Sequence, residues 1–66
     1  MIQPLREIRP GQQVVLDIET ELVIRRRHVG GDHHVLTFHD GRNTLPLPGS
    51  TDIAVRGVQL SISEYQ

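Results

Sequence analysis

The sequence contains no cysteine, no lysine and only one alanine, Ala54. Without cysteine the chain cannot form disulfides, and a structural zinc site would have to use histidine and carboxylates alone, which is unusual. No segment approaches the roughly 18 apolar residues of a membrane-spanning helix. The first ten residues carry Arg6, Glu7 and Arg9 where a signal peptide would have an apolar run. We therefore expect a soluble, cytoplasmic protein that does not associate with membranes.

β-branched residues dominate what the chain does contain, with seven valines and six isoleucines among 66 residues. Such side chains pack well on a pleated sheet and lose rotamer freedom in a helix, whereas exposed helix faces favour alanine and lysine. The composition predicts one all-β domain spanning residues 1–66, with little or no helix. A core this small stabilises a fold by a few kcal/mol at best. Since disulfides are excluded, we expect a homo-dimer or a ring.

Turn signals divide the chain into short segments of alternating polarity. Gly30-Gly31-Asp32 and Asp40-Gly41 are hairpin signals, and the second suits a type I′ turn. The pattern predicts a five- or six-stranded antiparallel meander, either barrel-like or a strongly twisted sheet. In the last strand the apolar phase changes near Gly57, which predicts a β-bulge that presents Arg56. The predicted strands are residues 2–8, 14–19, 21–29, 33–39, 42–47 and 53–62.

Positive charge is concentrated in the middle of the chain, although the net charge is −1. Residues 25–42 carry four arginines, two aspartates and all four histidines. If Leu22 and Ile24 face the core, Arg25 and Arg27 project together from the outer face of a strand. Arg26 would then lie at the rim or pair with a carboxylate. Charge on this strand has a second interpretation, protection of a sheet edge against aggregation.

Arginine is suited to bidentate phosphate contacts and to stacking on bases. We therefore predict a sheet surface that binds single-stranded RNA, and its residues are Arg25, Arg27, Arg42 and Arg56. Aromatic platforms for base stacking are scarce, because the chain has only Phe38 and Tyr65.

Metal binding and catalysis have weaker support. His28, His33, His34 and His39 surround one predicted hairpin, where His28 and His33 could face each other and Asp32 or Asp40 could add oxygen ligands. Their spacing matches no established zinc signature, so an ordinary polar surface is the simpler interpretation. No serine lies in a nucleophile motif, and the Asp17–Glu19 pair lacks an acid partner. We expect neither an enzyme nor a cofactor.

Two families of bacterial RNA-binding proteins resemble parts of the chain. The sequence is similar to the carbon storage regulator family at Gly11-Gln12-Gln13-Val14-Val15, at the Gly30-Gly31-Asp32 turn, and at Pro48 followed by Ile53-Ala54-Val55-Arg56. The Asp40-Gly41 hairpin and the absence of a predicted C-terminal helix depart from that family. Ile53-Ala54-Val55-Arg56-Gly57 also resembles the tryptophan-responsive RNA-binding attenuation protein. Both resemblances imply that Arg56 contacts RNA.

Two functions follow as expectations. The first is an RNA-binding post-transcriptional regulator that acts on translation. The alternative is an SH3-like or phage-type protein-interaction module that binds a protein partner through a sheet edge. RNA binding should weaken steeply with salt, whereas edge docking should not.

Overall fold

The computed structural model describes residues 1–56, and this part of the chain is all-β. Its only helical element is a 3-10 turn at Leu5–Glu7. The six strands form one open antiparallel sheet in the order β1-β6-β2-β3-β4-β5, which confirms the predicted fold class. Their bounds are β1 Ile2–Pro4, β2 Gln13–Leu16, β3 Glu19–Gly30, β4 His33–Phe38, β5 Leu47–Pro48 and β6 Asp52–Arg56.

Strands β2 to β5 follow one another as a meander, but β6 returns across the sheet. It lies between β1 and β2, where Val55 pairs with Val14 and Ala54 pairs with Ile2. The edges of the sheet are therefore β1, which contains Pro4, and the two-residue β5. Both edges are short, which limits their exposed hydrogen-bonding groups.

The hairpin at Gly31-Asp32 is confirmed, because Gly30 pairs with His33 across a two-residue loop. A further hairpin joins β2 to β3, where Leu16 pairs with Glu19. The loop residue Asp17 has φ 55°, which a short polar side chain tolerates. The predicted strand 14–19 was therefore too long, and Ile18 is 94% exposed at the turn.

The turn at Asp40-Gly41 exists, but it is not type I′. The Phe38 amide donates to the Arg42 carbonyl at 2.9 Å, and the Gly41 amide donates to the Phe38 carbonyl at 2.9 Å. Gly41 has φ 90°, while Asp40 has no positive φ. Type I′ needs positive φ at both central residues, which excludes that turn type here. The two hydrogen bonds instead define a three-residue loop between Phe38 and Arg42. The predicted strand 42–47 reduces to an isolated bridge between Thr37 and Asn43, followed by β5.

The main core cluster lies on one face of the sheet and beneath the 3-10 turn, while Val35, which pairs with Arg27 on the other face, is also buried. The predicted strand 2–8 ends at Pro4, because the chain then turns and places Leu5 and Ile8 in the core. Polar Gln12, Glu21 and His34 are buried beside this core. The core cluster consists of Leu5, Ile8, Val14, Val23, Leu36, Phe38, Ile53 and Val55.

A β-bulge at Ile24 changes the phase of β3. Val23 pairs with Phe38 and Arg25 pairs with Thr37, so two residues of β3 oppose one residue of β4. Val23 is fully buried and Ile24 is 50% exposed. The condition that Leu22 and Ile24 face the core is therefore not met, because Val23 between them is the residue that does. The bulge predicted at Gly57 lies outside the described residues, as does any continuation of β6.

Candidate nucleic-acid interface

Arg25 and Arg27 project from the same face of the β3–β4 hairpin. Arg25 pairs with Thr37 and Arg27 pairs with Val35, so the strand is regular between the two arginines. Side chains two residues apart on a strand lie on one face, roughly 7 Å apart. Both arginines are exposed.

Arg56 lies on that same outer face. It pairs with Gln13 in β2, and Gln13 pairs with Leu22 in β3, so these three residues form a row across the sheet. Leu22 alternates with the buried Val23 and therefore faces away from the core. Two strand spacings separate Arg56 from Leu22, which is about 10 Å. We call the surface of Arg25, Arg27 and Arg56 the outer arginine face.

The outer arginine face holds positive charge for which the described part of the chain supplies no carboxylate partner. Within residues 1–56, none of its three side chains is in an ion pair, and all the ion pairs found involve Arg42 or His34. The exposed Ile24 supplies apolar surface beside Arg25. Phe38 is 3% exposed and belongs to the core, so it cannot stack on a base. Tyr65 lies outside the described residues.

Arg42 is held in a cluster of carboxylates. Its Nε donates to Asp40 Oδ2 at 2.7 Å, its Nη2 donates to Glu21, and Glu19 lies 4.0 Å away. The side-chain hydrogen bond to Asp40 raises the pKa of Arg42, and the hydrogen bond from the Arg42 amide lowers the pKa of Asp40. Because its guanidinium is engaged by these carboxylates, Arg42 is not grouped with Arg25, Arg27 and Arg56 in the outer arginine face.

Arg26 points to the opposite side of the sheet from its neighbours. Its Nε donates to the Ile8 carbonyl at 2.8 Å, and its Nη1 donates to His34 Nδ1 at 3.1 Å. Within residues 1–56 Arg26 therefore has no carboxylate partner, and it is half-buried at the wall of an open cleft. Burial, followed by the charge of Arg26, lowers the pKa of His34 below its ordinary value. A neutral imidazole is the form whose Nδ1 can accept from Arg26.

The histidines divide between surface and interior. His28 pairs with His34, and their ring centroids are 4.9 Å apart. The possible pairing of His28 with His33 does not occur, because the register shifts between His28 and Gly30 and His33 pairs with Gly30. His33 and His39 are exposed. No group of three histidine, aspartate or glutamate side chains within residues 1–56 is arranged to hold a metal ion.

A second basic surface lies around the 3-10 turn. Arg6, Arg9 and Arg26 line an open cleft of about 610 Å³ together with polar side chains. Sequence reasoning missed it, because Arg6 and Arg9 lie outside the basic segment at residues 25–42. Only the three-dimensional approach of β3 to the Ile8 carbonyl brings Arg26 to them.

Comparison with models of known families, with curated proteins and with solved structures finds no match. No helix in residues 1–56 is long and apolar enough to cross a membrane.

Proposed function

We propose that the protein is an RNA-binding post-transcriptional regulator that binds single-stranded RNA on the outer arginine face. One observation carries the proposal: the strand register aligns Arg25, Arg27 and Arg56 on one exposed face, where residues 1–56 supply no carboxylate partner. Guanidinium groups free of internal partners are available for phosphate oxygens and base edges.

The composition of this face indicates how it would bind. Ile24 and Leu22 provide apolar surface between the arginines, but no phenylalanine, tyrosine or tryptophan side chain of residues 1–56 is available for stacking. Phosphate contacts therefore supply most of the affinity, and the affinity depends strongly on salt. The resemblance to the carbon storage regulator family supports a role for Arg56 in RNA contact.

The test is a fluorescence-anisotropy titration of a labelled single-stranded RNA pool at two salt concentrations. Arg25→Gln, Arg27→Gln and Arg56→Gln are each expected to weaken binding and to reduce the log–log salt slope by about 0.7. Arg42→Gln is the matched control, since it removes the same charge from the carboxylate cluster. Circular dichroism verifies that each variant is folded. The proposal fails if wild type shows no salt-sensitive binding, or if Arg42→Gln weakens binding as much as Arg56→Gln.

A protein-interaction module is the second candidate, and exposed apolar residues at the sheet edge favour it. Ile2 on edge strand β1 is 60% exposed, and Met1 before it is 65% exposed. A protein partner could add a strand there, and a second copy of the chain could use the same edge in the expected homo-dimer or ring. Binding that persists unchanged at high salt would favour this candidate.

A further inference from the structure

The cleft around the 3-10 turn has the chemistry of an anion site, separate from the outer arginine face. Its walls are Gln3, Arg6, Glu7, Arg9, Pro10, Gln12 and Arg26. Three arginines against one glutamate leave an excess of two positive charges. Arg6 and Arg9 form no side-chain ion pair within residues 1–56, even though Glu7 lies between them in the chain.

Arg26 is fixed in this cleft before any ligand arrives. Its Nε is occupied by the Ile8 carbonyl and its Nη1 by His34 Nδ1, both inside the fold. The Nη2 group has no partner within residues 1–56. A guanidinium held in this way loses little conformational entropy when it binds an oxyanion.

The two glutamines are also ordered. Gln12 is 5% exposed, its Oε1 accepts the Arg9 amide at 2.7 Å, and its Nε2 donates to Gln3 Oε1 at 2.8 Å. Because Gln3 uses its oxygen as an acceptor here, its amide nitrogen remains a donor at the cleft wall. The same bond from Arg9 fixes the backbone that carries the Arg9 side chain.

We propose that this cleft binds a phosphate group, held by the fixed guanidinium of Arg26 and enclosed by Arg6 and Arg9. The site combines one pre-positioned fork donor with two adaptable cations, which suits the oxygens and the multiple negative charge of a phosphate monoester or diphosphate. It lies on the core side of β3, whereas the outer arginine face lies on the other side. The phosphate belongs either to a small phosphorylated compound or to the end of an RNA chain.

The experiment titrates pyrophosphate into the full chain by isothermal calorimetry, with sodium chloride adjusted to keep ionic strength constant. Wild type is expected to show saturable binding. Arg9→Gln keeps every hydrogen bond of the Arg9 backbone and is expected to weaken pyrophosphate binding about tenfold or more. Arg27→Gln is the matched control and should bind pyrophosphate as wild type does.

Competition then identifies the source of the phosphate. Displacement of pyrophosphate by an RNA with a 5′-phosphate, but not by the same RNA with a 5′-hydroxyl, assigns the cleft to RNA ends. Displacement by neither RNA assigns it to a small phosphorylated compound. The proposal is overturned if wild type shows no saturable binding, or if Arg9→Gln and Arg27→Gln bind pyrophosphate equally. Failure of RNA binding to the outer arginine face would leave this result unchanged.

Discussion

Gly49 occupies a position where even one methyl group meets its neighbours. It lies directly after β5, where its amide donates to the Asp32 carbonyl at 2.6 Å and its carbonyl accepts from the Arg6 amide at 2.9 Å. A Cβ added at Gly49 would lie 2.8 Å from Asp32 Oδ1, 3.1 Å from Arg6 Cβ and 3.1 Å from His34 Cδ2. Its φ is not positive, so the obstacle to alanine is space rather than backbone conformation.

The size of the effect follows from which neighbours can move. The Asp32 carboxylate is the end of a flexible side chain and can rotate away. Arg6 Cβ and the His34 ring cannot move away in the same manner. The Arg6 amide is hydrogen-bonded to the Gly49 carbonyl, and the buried His34 ring is hydrogen-bonded to Arg26. Overpacking of this kind costs about 1–3 kcal/mol. Reduced flexibility of the unfolded chain returns about 0.4–1 kcal/mol, so we expect Gly49→Ala to destabilise the fold by about 1–2 kcal/mol.

Urea and thermal denaturation followed by circular dichroism measure this effect. In a domain of this size, each kcal/mol lowers the midpoint temperature by about 4–8 °C. Ser50→Ala is the control, because it changes the exposed residue next to Gly49. A midpoint for Gly49→Ala equal to that of wild type would refute the reasoning. Gly49→Ala should also weaken pyrophosphate binding, since it displaces the backbone that carries Arg6.

Two further predictions concern pH and the Asp40-Gly41 hairpin. Because the folded-state pKa of His34 lies below its ordinary value of 6.5, the stability it contributes is complete above about pH 6.5 and is lost as pH falls below that value. The urea midpoint should therefore be lower at about pH 5.5 than at about pH 7.5. His34→Asn should reduce this difference, whereas His33→Asn should not. Equal wild-type midpoints at the two pH values would contradict the prediction. Gly41 has φ 90° and nothing within 4 Å of an added Cβ, so Gly41→Val costs backbone strain alone, about 1–3 kcal/mol. Gly41→Asn should cost less, and an unchanged midpoint in Gly41→Val would contradict the turn geometry.

Composition was sufficient to predict the fold class, because a chain rich in valine and isoleucine, with one alanine and no lysine, has few residues that favour helices. Local turn chemistry was sufficient for the Gly31-Asp32 loop and for β3 and β4. The place of β6 between β1 and β2 was not predictable, since that pairing depends on contacts between distant segments. Ile2 and Ala54 are partners across almost the whole described chain.

Burial of polar groups was also beyond the sequence. Glutamate and histidine are usually surface residues, but Glu21 and His34 are both buried. Each is hydrogen-bonded to one well-placed arginine, which makes the burial possible. Arg42 is the partner of Glu21, and Arg26 is the partner of His34. Neither pairing can be predicted from the spacing in the sequence, because a turn or a strand register determines which arginine lies close to the buried group.

Within the run Arg25-Arg26-Arg27, the first and third arginines share the outer face as predicted, but the premise of that prediction was wrong. Leu22, Val23 and Ile24 are all apolar, so alternation cannot tell which of them faces the core. Val23 does, and in a regular strand Arg25 and Arg27 would then share its inward face. The extra residue at Ile24 reverses the phase, so that Arg25 and Arg27 point outward and Arg26 points inward to Ile8 and His34. One bulge thus allows a single strand to supply cations to the outer arginine face and to the cleft on the opposite side.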